Sequence, residues 1–292
     1  MLTIYAPSNN PKSKCWEVFN GVRTHWIEDV KFADNNLNYF LNDDTQSMFW
    51  GLVNNNTNLI HQIDEAGQNW WFTDTPYFGI HQIDEAGQNW WFTDTPYFGR
   101  FDNTNLKPNN HYWRICKNKI HVGYIHGLDN KRLQKFNVQV KDKTNKGDHI
   151  LVCPSSPGIN NFINEQDWLD KTIKEIKQHT DRPIIIRHKP RGRGTSGPSE
   201  AVIPIEKQLE NAYACVTSCS ISAVESLCEG VPVVCHQSSF AESICDTDLS
   251  KIESLNYVDP SNWLNSLAYQ QFTPEEFNNG TAVSILKEIK VL

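Results

Sequence analysis

The sequence predicts an α/β fold in two halves, each a set of parallel strands with helices between them, the halves facing across a cleft and a C-terminal helix closing the chain. Three observations lead there. The second half alternates short apolar runs with longer amphipathic ones: "HILVC" (149–153), "NEQDWLDKTIKEIKQH" (164–179), "RPIIIRHKP" (182–190) and "YACVTSCSISAVESLCEGVPVVCH" (213–236). Strands alternating with helices of that length form a parallel sheet covered on both faces. The first half carries apolar strands at 2–5 and around "MFWGLV" (48–53). Between the halves "KDKTNKGD" (141–148) is polar and aperiodic, which sets a boundary at 147/148 and domains of 1–147 and 148–292, each of ordinary size.

In chain order, the first strand runs into a Pro/Ser/Asn loop, a helix-like "KCWEVFNGV" (14–22) and the second strand. Residues 60–79 and 80–99 then repeat "IHQIDEAGQNWWFTDTPYFG" without a change. Repeat folds need three or more units that drift, so two perfect copies indicate a recent duplication or an assembly artefact. Each copy has an amphipathic segment (Ile60, Ile63, Ala66), a Gly67 stop and an aromatic strand at Trp70, Trp71 and Phe72. One copy is expected to fill the strand position and the other to be extruded or squeezed in. In the second half, Asn164 is expected to cap a helix with apolar residues at 169, 173 and 176. Gly230 stops the helix after "CSISAVESLCE". The C-terminal "TPEEFNNGTAVSILKEIKVL" reads as a closing helix with a Thr273 cap and Pro274 at its first position.

Bulk properties narrow the function. The net charge of −7 opposes indiscriminate phosphate-backbone binding, so any nucleic-acid contact is local. Eight cysteines without a CxxC pair, most inside apolar runs, read as buried free thiols rather than a zinc site. The start "MLTIYAPSNN" lacks a charged and apolar leader pattern, and no run approaches the ~18 apolar residues of a membrane span, so a cytoplasmic location is expected.

Chemistry concentrates at "AYACVTSCSISAVESLCEGVPVVCH" (212–236). Thr217, Ser218 and Ser220 follow a buried strand and open a helix, an arrangement suited to an anion such as a diphosphate. Glu225, further along the helix, is placed to accept hydrogen bonds from ribose hydroxyls. The bland alternative is a capping serine and a solvated glutamate. A second element is the basic run Arg187, His188, Lys189, Arg191 and Arg193, suited to neutralising phosphates or simply a solvated loop.

The run "TSCSISAVESLCEGVPVV" resembles the donor-site strand-helix-strand of GT-B glycosyltransferases, especially capsular-polysaccharide and Kdo-type transferases; the likeness covers roughly 148–240. It implies two Rossmann-like domains in a GT-B-like arrangement, with 148–292 binding a nucleotide-sugar donor. Ser155, Ser156, Thr217, Ser218, Ser220, Glu225, Arg187, His188 and Lys189 then serve the donor and its phosphates. It also implies no metal and no cofactor, the nucleotide sugar being a substrate; the one DxD, Asp246 to Asp248, lies beyond the donor motif.

In the first half "FTDTPYFGR" ends an aromatic strand in Asp94, or Asp74 in the other copy. A carboxylate at a strand end can take the proton of an acceptor hydroxyl, or merely start a turn. The run resembles the strand end of the β-glucosyltransferases that phages use on modified cytosine in DNA, which implies an Asp base and a modified DNA base as acceptor, in a host cytoplasm. A glycan is the other acceptor. Asp94 is preferred because the downstream flank is native to its copy. Arg100, His111 and Arg114, with Trp113, suit the acceptor side. The competing readings are a nucleotide-sugar epimerase on the same scaffold and a non-catalytic nucleotide or sugar binder.

Overall fold

The computed structural model describes residues 2–6, 30–34, 46–50, 62, 70–74, 91–94, 96–98, 112–117, 121–143, 147–188 and 203–291. The strands are β1 (Leu2–Ala6), β2 (Val30–Asp34), β3 (Gln46–Trp50), β4 (Trp70–Asp74), β5 (Trp91–Asp94), β6 (Trp113–Lys117), β7 (His149–Cys153), β8 (Ile184–Ile186), β9 (Ala212–Thr217), β10 (Val233–Cys235) and β11 (Gln271–Phe272). The α-helices are α1 (Pro157–Phe162), α2 (Trp168–His179), α3 (Ile205–Leu209), α4 (Ser222–Cys228), α5 (Ser261–Ala268), α6 (Pro274–Asn278) and α7 (Thr281–Glu288). The chain forms two compact units, Met1–Val122 with Leu267–Leu292, and Gly123–Ser266. The sequence boundary at 147/148 thus differs from this division by residues 123–147, and residues 267–292 group with the first unit.

In the first unit the strand order is β2-β1-β3-β4-β5-β6-β11. Strands β1 to β5 run parallel, β6 is antiparallel to β5, and β11 is antiparallel to β6. Each copy of the duplicated segment contributes one strand to this sheet, β4 and β5, side by side. Of the two outcomes expected for the second copy, its strand is squeezed into the sheet rather than extruded. A strand inserted inside a sheet has partners for its backbone groups on both edges, which a looped-out copy leaves to solvent. The copies are not aligned position for position: Thr73 pairs with Trp91 and Asp74 with Phe92, a stagger of two residues that equals one full pleat repeat.

The end of the second copy is held by the C-terminal strand. Tyr97 and Phe98 are buried, and their N–H groups donate to Gln271 Oε1 at 2.8 and 3.4 Å. Gln271 Nε2 donates back to the Phe98 carbonyl at 3.1 Å. The Arg114 guanidinium lies 5.3 Å from the Tyr97 ring centre. Thr273 and Glu276 form a reciprocal capping box with Pro274 at the first helical position, as the sequence indicates. The expected single closing helix is instead two, α6 and α7, separated at Gly280, whose φ of 81° is left-handed.

The second unit holds a four-stranded parallel sheet, β10-β9-β7-β8. Alternate residues serve its two faces, as the period of a strand requires. Ile150, Val152, Ala214, Val216 and Val234 pack with Trp168 and Ile176 of α2 and with Leu249, Ile252 and Leu255. On α2 the buried positions are 168, 172 and 176, one turn apart in succession. Asn164 is not its cap; it has a left-handed φ of 57°, and Asp167 occupies the N-cap position. Helices α3 and α4 pack on β9. Gly230 ends α4 at a φ of 77°, where a Cβ would lie 2.1 Å from the Asp142 carbonyl oxygen, so only glycine fits. At the other end of the sheet, Arg182 bonds Glu253 and the Gly147 carbonyl and stacks 3.6 Å from the Tyr213 ring centre.

Replacing Gln271 with Leu leaves the Tyr97 N–H and the Phe98 carbonyl buried without their partner, and we expect a loss of about 2–3 kcal/mol in chemical denaturation. Deleting residues 80–99 leaves one copy with both outer flanks. That copy can pair β3 on one edge and β6 on the other, so we expect a folded chain with a six-stranded sheet. Circular dichroism and thermal unfolding check this; loss of the cooperative transition shows that the inserted strand is integral.

Candidate functional site

In the second unit the chain leaves β7 toward β8 on one side and leaves β9 toward β10 on the other. Neighbouring strands β7 and β9 therefore send their crossovers in opposite directions, which is the switch point where open α/β sheets bind ligands outside the carboxyl ends of the strands. Ser155 and Ser156 follow β7, Ser218 and Ser220 follow β9, and His236 follows β10.

Hydroxyl groups weld these ends together. The Ser155 N–H donates to Ser218 Oγ at 3.1 Å, and the Cys219 N–H donates to Ser155 Oγ at 2.9 Å. Ser218 Oγ donates to Asn160 Oδ1 of α1 at 3.0 Å. Thr217 Oγ1 donates to the Cys153 carbonyl at 2.7 Å and accepts from the Ser220 N–H at 3.3 Å. Thr217 and Ser218 are 0% exposed, so their side chains build the floor of the switch point. Ser155, Ser156 and Ser220 are half-buried at its surface. Neither Ser218 nor Ser220 sits at the N-cap of α4, a position taken by Ile221; Ser220 Oγ instead accepts the Ser222 N–H at 3.3 Å. Glu225 lies in the first turn of α4, half-buried.

Arg187, just beyond β8, donates through Nη1 to the Ile203 carbonyl at 2.7 Å and to the Gln208 amide oxygen. These acceptors are neutral and leave its charge in place. That charge reaches the end of β7: the Cys153 thiol is held below its ordinary pKa by its hydrogen bond with Cys215, then by Ser222 and Arg187, against burial. His188 is exposed. Lys189, Arg191, Arg193, Arg100 and His111 lie outside the described residues. In the first unit Asp74 and Asp94 are the last residues of β4 and β5, and Asp94 pairs in register with Arg114 of β6, whose side chain is buried. The switch point of that sheet falls between β1 and β3, one strand from Asp74 and two from Asp94.

Three residues of the second unit's site escape sequence reasoning. His236 anchors its backbone by donating to the Thr217 and Ser218 carbonyls at 3.1 and 3.3 Å, its Nδ1 accepts the Ser238 N–H at 3.1 Å, and its Nε2 lies 4.0 Å from Glu165 Oε1. Burial lowers its pKa, partly offset by the Glu165 carboxylate, which Lys171 pairs on its other oxygen at 3.1 Å. His236 had a signal, a polar side chain directly after the buried run "VPVVC". Asn160 and Glu165 had none, because tertiary contacts alone bring them here. The described cysteines are free thiols, with Cys228 and Cys245 half-buried and the others buried.

No family model and no curated protein matches this chain. Among solved structures, KpsC of Thermosulfurimonas dismutans, titled a beta Kdo 2,7 transferase, is 12% identical, with 96% of this chain and 99% of that chain covered at a TM-score of 0.44. A second KpsC structure from the same organism, titled a beta Kdo 2,4 transferase, is 8% identical, with 98% and 97% covered at a TM-score of 0.47.

Ser218→Ala strands the Asn160 oxygen and the Ser155 N–H, and we expect a loss of about 1–3 kcal/mol in urea unfolding. The lowered pKa of His236 means that the unfolded chain binds its proton more readily. Its contribution to stability is complete above the unfolded value of about 6.5 and is lost as pH falls below it. Unfolding midpoints between pH 5 and 8 should therefore fall less steeply on the acid side for His236→Gln than for the parent chain.

Proposed function

We propose that the protein is a glycosyltransferase that moves a sugar from a nucleotide-activated donor to an acceptor hydroxyl, on a GT-B-like pair of domains and without a metal. The observation that carries this reading is the convergence of Ser155, Ser156 and Ser220 at the switch point of a parallel sheet, with Arg187, whose hydrogen-bond acceptors among the described residues are neutral, beside it. Small hydroxyls near a fixed positive charge suit the phosphates of an activated sugar. The second unit holds the donor in this reading, and Glu225 takes its ribose. The first unit handles the acceptor.

The chemistry is a displacement at the sugar C1. The acceptor oxygen bonds to C1 as the bond from C1 to the phosphate oxygen breaks. The acceptor proton passes to Asp94, with Asp74 as its counterpart in the other copy. The leaving nucleotide departs with its negative charge opposite Arg187. The acceptor class is a modified base in phage DNA or a glycan hydroxyl. For a chain of net charge −7, a DNA acceptor requires a local contact, for which Arg100 and His111 are the candidates; Arg114, expected on the acceptor side from sequence, is buried in β6 and does not reach an acceptor.

Calorimetry with UDP, CDP and GDP tests the donor site; binding tighter than about 1 mM supports it, and no binding by any of them removes it. Asp94→Asn should lower turnover about 10²-fold or more with donor affinity unchanged. If Asp74→Asn carries that loss instead, the first copy holds the base. Release of free nucleotide without a glycosylated product makes the protein a binder or hydrolase, and interconversion of the donor sugar makes it an epimerase.

A further inference from the structure

We infer that the His236 imidazole and the Glu165 carboxylate form a recognition pair for a ring hydroxyl of the ligand bound outside β7, β9 and β10. The inference deepens the reading of the second unit as a donor-binding unit and rests on it for the ligand's location. Its ground is the geometry of the pair. His236 Nδ1 accepts the Ser238 N–H at 3.1 Å, which fixes the neutral ring with its hydrogen on Nε2. Nε2 is therefore a donor, and it lies 4.0 Å from Glu165 Oε1, too far for a direct hydrogen bond. An oxygen about 2.8 Å from each of two atoms at that separation completes an ordinary triangle of hydrogen bonds.

A hydroxyl is the group that fits, because it accepts and donates at once. It takes the Nε2 hydrogen and gives its own to the carboxylate. A phosphate suits the imidazole but is repelled by Glu165, and an ammonium suits Glu165 but meets the hydrogen on Nε2. Both partners are held before any ligand arrives. The His236 backbone is tied to the Thr217 and Ser218 carbonyls, so the ring is placed by the ends of β9 and β10. Glu165 is fixed by its own N–H to the Asn160 carbonyl at 2.8 Å, by the Trp168 N–H to its carbonyl at 3.2 Å, and by Lys171 Nζ on Oε2 at 3.1 Å. Since Asn160 also accepts from Ser218, both members of the pair are referenced to the same strand end. A pre-positioned pair loses little side-chain freedom on binding.

The hydroxyl comes either from the ribose of the nucleotide or from the transferred sugar, and two kinds of probe separate them. UDP, its 2′,3′-dideoxy analogue and free glucose are titrated into the full chain and into Glu165→Ala. The ring proton between the two nitrogens of His236 is followed by NMR, with thermal unfolding as a check on folding. For a ribose hydroxyl we expect UDP to move the His236 signal, the dideoxy analogue to bind about tenfold or more weakly, and Glu165→Ala to weaken UDP but not the analogue. For a sugar hydroxyl, UDP and its analogue bind alike and glucose moves the signal in a manner that Glu165→Ala abolishes. Binding of both nucleotides with equal affinity, no response to glucose and no effect of Glu165→Ala overturns the pair while leaving the donor reading intact. Glucose perturbing His236 where no nucleotide binds upholds the pair and removes the donor reading. No binding by any of these probes overturns the pair, and the donor reading falls with it when CDP and GDP also fail to bind.

Discussion

The second unit is organised around one hydroxyl group. Ser218 Oγ accepts from the Ser155 backbone and donates to the Asn160 side chain, with no exposure to solvent. It ties the end of β9 to the turn after β7 and to the first helix after that turn. Three segments far apart in sequence thereby share one reference point, and the groups at the surface inherit their positions from it. Ser155 is placed through its own backbone, Glu165 through Asn160, and His236 through the carbonyls of Thr217 and Ser218. A buried hydroxyl with both roles filled is worth more as a locator than as an exposed ligand contact.

Polar atoms continue inward from that point. Thr217 and Ser222 share a hydrogen bond, and Cys153 and Cys215 pair across β7 and β9 while also meeting Ser222 and Ser226 of α4. The face of the sheet toward α4 thus carries small polar and sulfur-bearing side chains beside Leu151 and Val233, whereas the face toward α2 is aliphatic. Small side chains let α4 approach β9 closely, and their hydrogen bonds satisfy the groups that this approach buries.

Much of the second unit was legible from sequence because its strands are covered on both faces. "HILVC", "YACVT" and "VPVVC" are near-continuous apolar runs and appear as β7, β9 and β10 at almost the boundaries the runs suggest. Local signals competed elsewhere. Asn164 is a favoured cap residue, but it takes the left-handed conformation that ends one turn, and α2 begins only where Trp168 can be buried. Ser218 after β9 could have capped α4, yet its hydroxyl bonds across to the turn after β7 and to α1, a tertiary choice invisible to a local pattern. The duplicated segment left two outcomes open for a different reason. Its strand propensity is the same twice over, and nothing within twenty identical residues says whether the sheet has room for one strand or two. His236 and Glu165 are 71 residues apart by subtraction of their numbers, and only the fold brings them together.

The position of β11 bears on how the chain comes into being. The sheet of the first unit begins with strands that precede the second unit in the sequence and is completed by Gln271 and Phe272, which follow it. Until those two residues are made, the edge of β6 lacks its antiparallel neighbour, and the Tyr97–Phe98 turn lacks the amide that holds it. The second unit, Gly123–Ser266, is continuous and is fully synthesised before that moment. Translation therefore reverses the apparent order of the halves: the later-encoded unit can finish folding first, while the earlier one waits with an unpaired strand edge, the kind of surface that chaperones cover in nascent chains.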